Sequence, residues 1–364
     1  MNTKIARYIL LPFAAFASAP LFGAGADLVM WGADSLESAY RWSSTTVGQP
    51  WGGGVLPGVS DRAIWKGPTN TSSSEGYVLV DTDSKFDLLQ VAASGTNKTW
   101  NLVFSTGLDG VTKSHTLDMR NIETVFRPLN INFSAAEGNT GKVLMSGASQ
   151  TMDIYTKTGT GNLQISIGKN ITFETAGDLF TINNQSDAAL AYGTMKVAGL
   201  FNVKGRLNVN GSGLATHRDI VIENGGSFTA YKLGTYNSTG FVVNGHMQVT
   251  QLIAGGGASN ALNIDLGANG LIELVGNASL EGLIVDSNVR IADFRENAIF
   301  IKYSDSAKSD VEKYFQTFNG SEWTNSLTLS SEGWVTAAVP EPATYAAVFG
   351  ALALAFAMAR RSRK

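Results

Sequence analysis

From Asp27 to Ala338 the chain alternates apolar and polar residues in short runs, among them Tyr77-Val-Leu-Val-Asp81, Asn101-Leu-Val-Phe-Ser105, Leu163-Gln-Ile-Ser-Ile167, Ile171-Thr-Phe-Glu174 and Leu262-Asn-Ile-Asp-Leu266. A period of two sends successive side chains to opposite faces of a strand, and the Gly, Asn, Ser and Thr clusters between the runs supply turns. The pattern predicts an all-β body. One helical stretch stands out, Ser304 to Phe318, where Ala307, Val311, Tyr314, Phe315 and Phe318 recur at spacings of three and four. It is expected to cap one end of the β domain.

Between 161 and 295 the strands recur with similar punctuation. Phe201-Asn-Val-Lys-Gly205, Val221-Ile-Glu-Asn-Gly-Gly226, Val242-Val-Asn-Gly245 and Ile264-Asp-Leu-Gly-Ala-Asn-Gly270 align on their glycines, with steps of 21, 19 and 25 residues, and Ile165-Ser-Ile-Gly168 is an earlier partial copy. Such steps suit one turn of a parallel β-solenoid, whose rungs bury inward aliphatic residues on one another and turn at Gly and Asn. A right-handed parallel β-helix is the expected fold. An antiparallel β-sandwich with evenly spaced hairpins is the alternative. The organisation expected is a signal peptide (1–26), a Trp-rich N-terminal cap and first β region (27–160), the solenoid repeats (161–295), a C-terminal cap and linker (296–338) and a tail (339–364).

The two ends differ from the body. Lys4 and Arg7 precede an apolar run from Tyr8 to Phe22, the layout of a secretory signal peptide. Ala17-Ser18-Ala19 and Ala24-Gly25-Ala26 are both small-x-small cleavage sites. The second is preferred because the first leaves Pro20 beside the scissile bond, so the mature chain is expected to start at Asp27. At the other end Pro340-Glu341-Pro342 precedes seventeen uncharged residues, 343–359, and then Arg360, Arg361, Arg363 and Lys364. At ~1.5 Å per residue that run reaches about 26 Å as a helix, enough to cross a thin bilayer. The basic cluster would hold its end in the cytoplasm. The chain would then halt in the membrane after passing the secretion translocon.

Together, Val339-Pro-Glu-Pro-Ala343, the small-residue and aromatic span and the Arg-Arg-Ser-Arg-Lys end resemble a PEP-CTERM sorting signal. The resemblance implies recognition by an exosortase, a membrane enzyme with a cysteine nucleophile that cleaves near the tripeptide and releases its substrate to the cell surface or matrix. It implies a Gram-negative source that makes an extracellular polysaccharide. Residues Pro340, Glu341, Pro342, Arg360 and Arg361 would carry the signal. The region after the signal peptide, with Trp31, Trp42, Trp51, Trp65, Gly52-Gly-Gly54, Pro57 and Asp61-Arg-Ala-Ile-Trp65, is similar to the opening of autotransporter-like surface proteins. Its tryptophans have two readings. They close the open end of the solenoid, or Trp42 and Trp51 present faces on which sugar rings stack.

Composition narrows the function. The chain has 364 residues, 44% hydrophobic and 16% charged, with 40 Gly and no Cys. A disordered chain or a disulfide scaffold does not look like this. A net charge of -3 argues against a nucleic-acid partner. That value also understates the acidity of the body, because the two ends hold six basic residues, Lys4, Arg7, Arg360, Arg361, Arg363 and Lys364, against the single acid Glu341.

Candidate chemistry is sparse. His115, His217 and His246 have no metal-ligand spacing and read as surface residues, so no metal site or cofactor is expected. Gly255-Gly-Gly257 reads as a turn and not as a nucleotide loop. Asp81 with Asp83, and Asp286, Asp293 and Arg295, are the acid clusters a polysaccharide lyase or hydrolase would need. They are equally the acids of turns and rung edges, and no catalytic residue is assigned. The sequence therefore points to an exported, non-enzymatic surface or matrix protein that binds extracellular polysaccharide. The rivals are a polysaccharide-active β-helix enzyme and a protein-binding adhesin.

Overall fold

The computed structural model describes residues 26–338 apart from 34, 47–48, 52–53, 69–74, 93–97, 127–128, 155–162, 185–191, 213, 215, 255–260 and 277–287, together with 350–353 and 358. The chain coils into a parallel β-solenoid. One sheet of 13 strands starts at Asp27–Gly32 and ends at Ile299–Ile301, and a second sheet of 12 strands starts at Tyr40–Arg41 and ends at Trp323–Thr324. The chain passes back and forth between the two sheets, and neighbours within each sheet run parallel up to Phe315–Phe318. A sandwich of antiparallel hairpins cannot give this pairing, so the alternative fold is excluded.

In the middle of the molecule the first sheet is folded into two faces. Leu200–Asn210 pairs through its first half with Ile171–Thr175 and through its second half with Leu179–Asn183, and its register against Ser227–Tyr236 shifts between Val203 and Arg206. Each rung there has three strand segments around one core. Gly205 sits at the bend, where a Cβ would collide with the carbonyl oxygens of Gly177 and Asp178.

The core is a set of columns running along the stacking axis. Val143, Phe173, Phe201, Phe228, Met247, Ile272 and Ile299 follow one another in register, all buried. On the second sheet Ile131, Ile165, Met195, Ile220, Phe241, Ile264 and Ile291 do the same. Each such side chain stabilises the fold by about 1.5–3 kcal/mol through burial. Stacking like residues on like also fixes the register, because a one-residue slip would turn every column outward.

The strands expected from alternation are present, as Glu75–Val80, Lys98–Phe104, Gln164–Ile167, Ile171–Thr175 and Leu262–Leu266. The glycine phasing needs one correction. The amides of Ser227, His246 and Leu271 donate to the carbonyls of Gly199, Gly226 and Gly245, so Gly199, and not Gly205, is the equivalent of Gly226. Both corners of a rung require close backbone approach, and glycine marks both. The solenoid also begins well before 161, since Leu129–Ala135 pairs with Gln164–Ile167 and Thr140–Met145 with Ile171–Thr175.

The C-terminal end of the coil is covered. The helix α1 (Asp305–Tyr314) starts at Ser304, whose Oγ accepts a hydrogen bond from the Ala307 amide, and it buries Ala307, Val311 and Tyr314. It is shorter than expected, because Phe315 turns to extended backbone and Phe315–Phe318 joins the second sheet beside Val289–Ala292. The antiparallel hairpin of Leu327–Leu329 with Val335–Ala337 packs on α1 and completes the cap. Among the described residues no helix is long and apolar enough to cross a membrane. Ala24, Pro340, Glu341, Pro342, Arg360 and Arg361 lie outside the described residues, as does most of 343–359.

Candidate functional site

Trp42 and Trp51 are fully buried. Their rings meet edge to face at 4.8 Å, Trp51 Nε1 donates to the Trp42 carbonyl at 2.9 Å, and Phe86 packs 5.7 Å from Trp42. Neither indole offers a face to a sugar ring, so the stacking reading fails for these two. They fill the N-terminal core, as do Trp65 and Trp100 at 4.1 Å from each other.

Asp81 and Asp83 do not act as a pair. The Asp81 side chain is buried and takes hydrogen bonds from Arg41 Nη1 (3.1 Å), the Ser43 amide (3.0 Å) and Ser43 Oγ (2.7 Å), which makes it a structural anchor. Asp83 is exposed and accepts from the Thr116 amide at 2.7 Å. Asp293 is a turn residue with φ of 55°, Arg295 binds the carbonyls of Gly267 and Gly270, and Asp286 lies outside the described residues, as does Gly255-Gly-Gly257. The histidines differ from expectation in one case, since His115 is buried, with Nδ1 3.8 Å from Asp83 Oδ1. His246 Nε2 lies 2.7 Å from Glu273 Oε2 on the outer face. Among the described residues no three His, Cys, Asp or Glu converge as a metal site.

The buried polar cluster around Asp219 was not legible in the sequence. Asn184 Nδ2 (2.5 Å), the Gly240 amide (2.7 Å) and the Ser212 amide (3.2 Å) all donate to its carboxyl group, and His217 Nε2 lies 2.7 Å from the Gly193 carbonyl alongside. Burial pushes the Asp219 carboxyl above its usual value, against the opposing pull of the Gly240 and Asn184 hydrogen bonds and the nearby His217. A raised carboxyl in a cleft is a general-acid signature. Here it is fully enclosed, and its oxygens are already taken by donors from three corners of the coil. It pins those corners together and does not reach a substrate.

The open site lies elsewhere, at the corner where the second sheet passes into the first. Asn170 (φ 64°) and Gly225 (φ 81°) take the left-handed conformation there, and a Cβ on Gly199 would collide with the carbonyl oxygens of Gly168 and Ile171. Tight turns with little side chain leave a cleft of about 970 Å³, lined by Ser114, Thr140, Lys142, Lys169, Thr172 and Ser227 among others. On the adjoining face Glu174 Oε1 accepts from Lys142 Nζ at 3.0 Å and Lys204 Nζ at 2.8 Å, while Asn202 Nδ2 donates to Oε2 at 3.3 Å. Burial pushes the Glu174 carboxyl up, but the hydrogen bonds and charges of Lys204 and Lys142 outweigh it and hold the group below the ordinary glutamate range. Glu174 therefore stays ionised at neutral pH and fixes Lys142 at the cleft wall.

This arrangement suits binding. The carboxylate at its edge is locked between two ammonium groups, and no second carboxylate lines the described cleft. No family model, curated protein or solved structure matches this chain.

Proposed function

We propose that this is an exported cell-surface or extracellular-matrix protein whose solenoid body acts as a stiff structural and adhesive element for extracellular polysaccharide, without catalysis. The observation that carries the reading is the rung-corner cleft, open and crossing several rungs, with lysine, asparagine and hydroxyl side chains set among glycines and aliphatic residues. Hydroxyl and ammonium donors on a rigid backbone match the dense hydroxyl pattern of a glycan. The coil is assigned as right-handed, the sense that strand twist imposes on nearly all parallel crossovers.

The address comes from the two ends. Cleavage after Ala26, guided by Ala24, would start the mature chain at Asp27, the first residue of the first strand. The Pro340-Glu341-Pro342 motif, the membrane span 343–359 and the Arg360-Arg361 end would present the body to an exosortase from the exported side of the inner membrane. Replacing Glu341 with Ala in the producing cell is expected to trap the protein in the membrane with its tail intact. Normal processing of that variant would remove the tripeptide from the account. Release of reducing ends or unsaturated products from the producer's own polysaccharide would refute the non-catalytic role.

A further inference from the structure

We infer that the rung-corner cleft takes an acidic polysaccharide, carboxylated or sulfated, in extended form with its chain axis along the stacking axis of the solenoid. This rests on the glycan-binding reading and specifies its ligand.

Direction comes from the register. Ser114 pairs with Thr140, Gly141 with Ile171, and Thr172 with Leu200, which pairs with Ser227. The lining residues thus lie on five successive strands of one sheet. At ~4.8 Å between strands, the four steps span about 19 Å perpendicular to the strands. Gly199 and Gly225 keep the floor low along that line. Four of the five rungs offer a hydroxyl, from Ser114, Thr140, Thr172 and Ser227, and the rung at Ala198-Gly-Leu200 offers backbone alone, at a spacing close to that of successive sugars in an extended chain.

Charge selects the class. Lys142 and Lys169 are the only ionisable side chains lining the described cleft. Lys169 is exposed and makes no ion pair among the described residues. Lys142 and Lys204 share the single carboxylate of Glu174, which leaves one positive charge uncompensated there. The cleft is therefore locally positive on a chain of net charge -3. Such a focus attracts anions. Glycan carboxylates or sulfates and nucleic-acid phosphates share that charge, but single-stranded nucleic acid is held largely by base stacking on aromatic side chains. No aromatic residue lines this cleft. Binding must come from charge and hydrogen bonds, and it must weaken with salt.

The test uses the purified full-length protein and three probes: a polygalacturonate oligosaccharide, neutral dextran and single-stranded poly(dT). Polygalacturonate is expected to bind, to lose most of its affinity at about 1 M salt, where screening acts within ~3 Å, and to exceed both other probes. Lys169→Glu is expected to weaken it about tenfold, with the unfolding temperature unchanged because the side chain is free. The control is Lys308→Glu on α1, the same charge change far along the coil, expected to leave affinity as it was. Equal losses from the two variants would overturn the cleft as the site. Equal binding of dextran would overturn the acidic specificity while sparing the glycan reading, and equal binding of poly(dT) would reduce the cleft to an unselective polyanion patch. Binding of none of the three would overturn the glycan reading as well.

Discussion

Phe201→Ala is expected to destabilise the protein by about 3–5 kcal/mol, the range for emptying a buried aromatic site. The ring sits at the middle of the principal column, with centroids 5.6 Å from Phe173, 6.1 Å from Phe180 and 5.4 Å from Phe228, and it is fully buried. Those neighbours belong to the rungs on both sides, held in parallel register, and they cannot close the cavity without breaking strand pairing. In a stack where each rung touches only its neighbours, weakening one central interface also weakens the coupling between the two halves. Chemical denaturation followed by two probes should therefore show a lower midpoint and a loss of coincidence between them. Phe318→Ala, at a half-exposed ring beside Trp323 at the C-terminal end, should cost less than about 1 kcal/mol. Equal costs at the two sites would mean that the column is not the source of stability.

The second large effect is expected at Asp219. Alanine there would leave the amides of Gly240 and Ser212 without an acceptor and take one from Asn184, whose Nδ2 keeps the Gly193 carbonyl, at about 1–3 kcal/mol for each group left unsatisfied, and about 2–5 kcal/mol in total after relaxation. Asp219→Asn keeps the shape but turns one acceptor into a donor facing the Gly240 or Ser212 amide, so an intermediate loss is expected. The pH dependence has a definite sign. Because burial raises the folded carboxyl above its unfolded value, the stability Asp219 contributes is full below the unfolded value and is lost as pH rises through the folded one. The stability advantage of the natural protein over Asp219→Asn should therefore shrink as pH is raised from the acid side. A constant or widening advantage would show that the carboxyl is not raised by folding.

Much of the body was readable because a solenoid writes its core as alternation. Tyr77 to Asp81 and Leu262 to Leu266 announced themselves as strands, since every second side chain points into a common core. Glycine was a less faithful marker. Gly205 and Gly226 look alike in sequence because both sit where backbone approaches backbone, yet one is a bend within a strand and the other a corner between sheets. The apolar spacing of α1 runs on through Phe315 because the strand that follows the helix buries that ring too, while Phe318 keeps the spacing and stays half exposed. The tryptophans left two readings open for a related reason. An aromatic residue carries no sign of whether its face meets solvent or, as at Trp42 and Trp51, another ring.

The cleft was not legible at all. Lys142 and Glu174 meet because Lys142 pairs with Thr172 on the next rung, and rung lengths differ, with 34 residues between Ile131 and Ile165 but 19 between Phe228 and Met247. With loops of unequal length, no fixed spacing brings the lysines to one carboxylate. Only the register does so.

The most direct test of the whole account is the intact mass of the protein recovered from the surface or extracellular fraction of the cells that make it. The account predicts a chain that begins at Asp27, carries the complete solenoid and lacks the span 343–359. A chain found only inside the cell, with residues 1–26 and the basic end at 360–364 still attached, would contradict it.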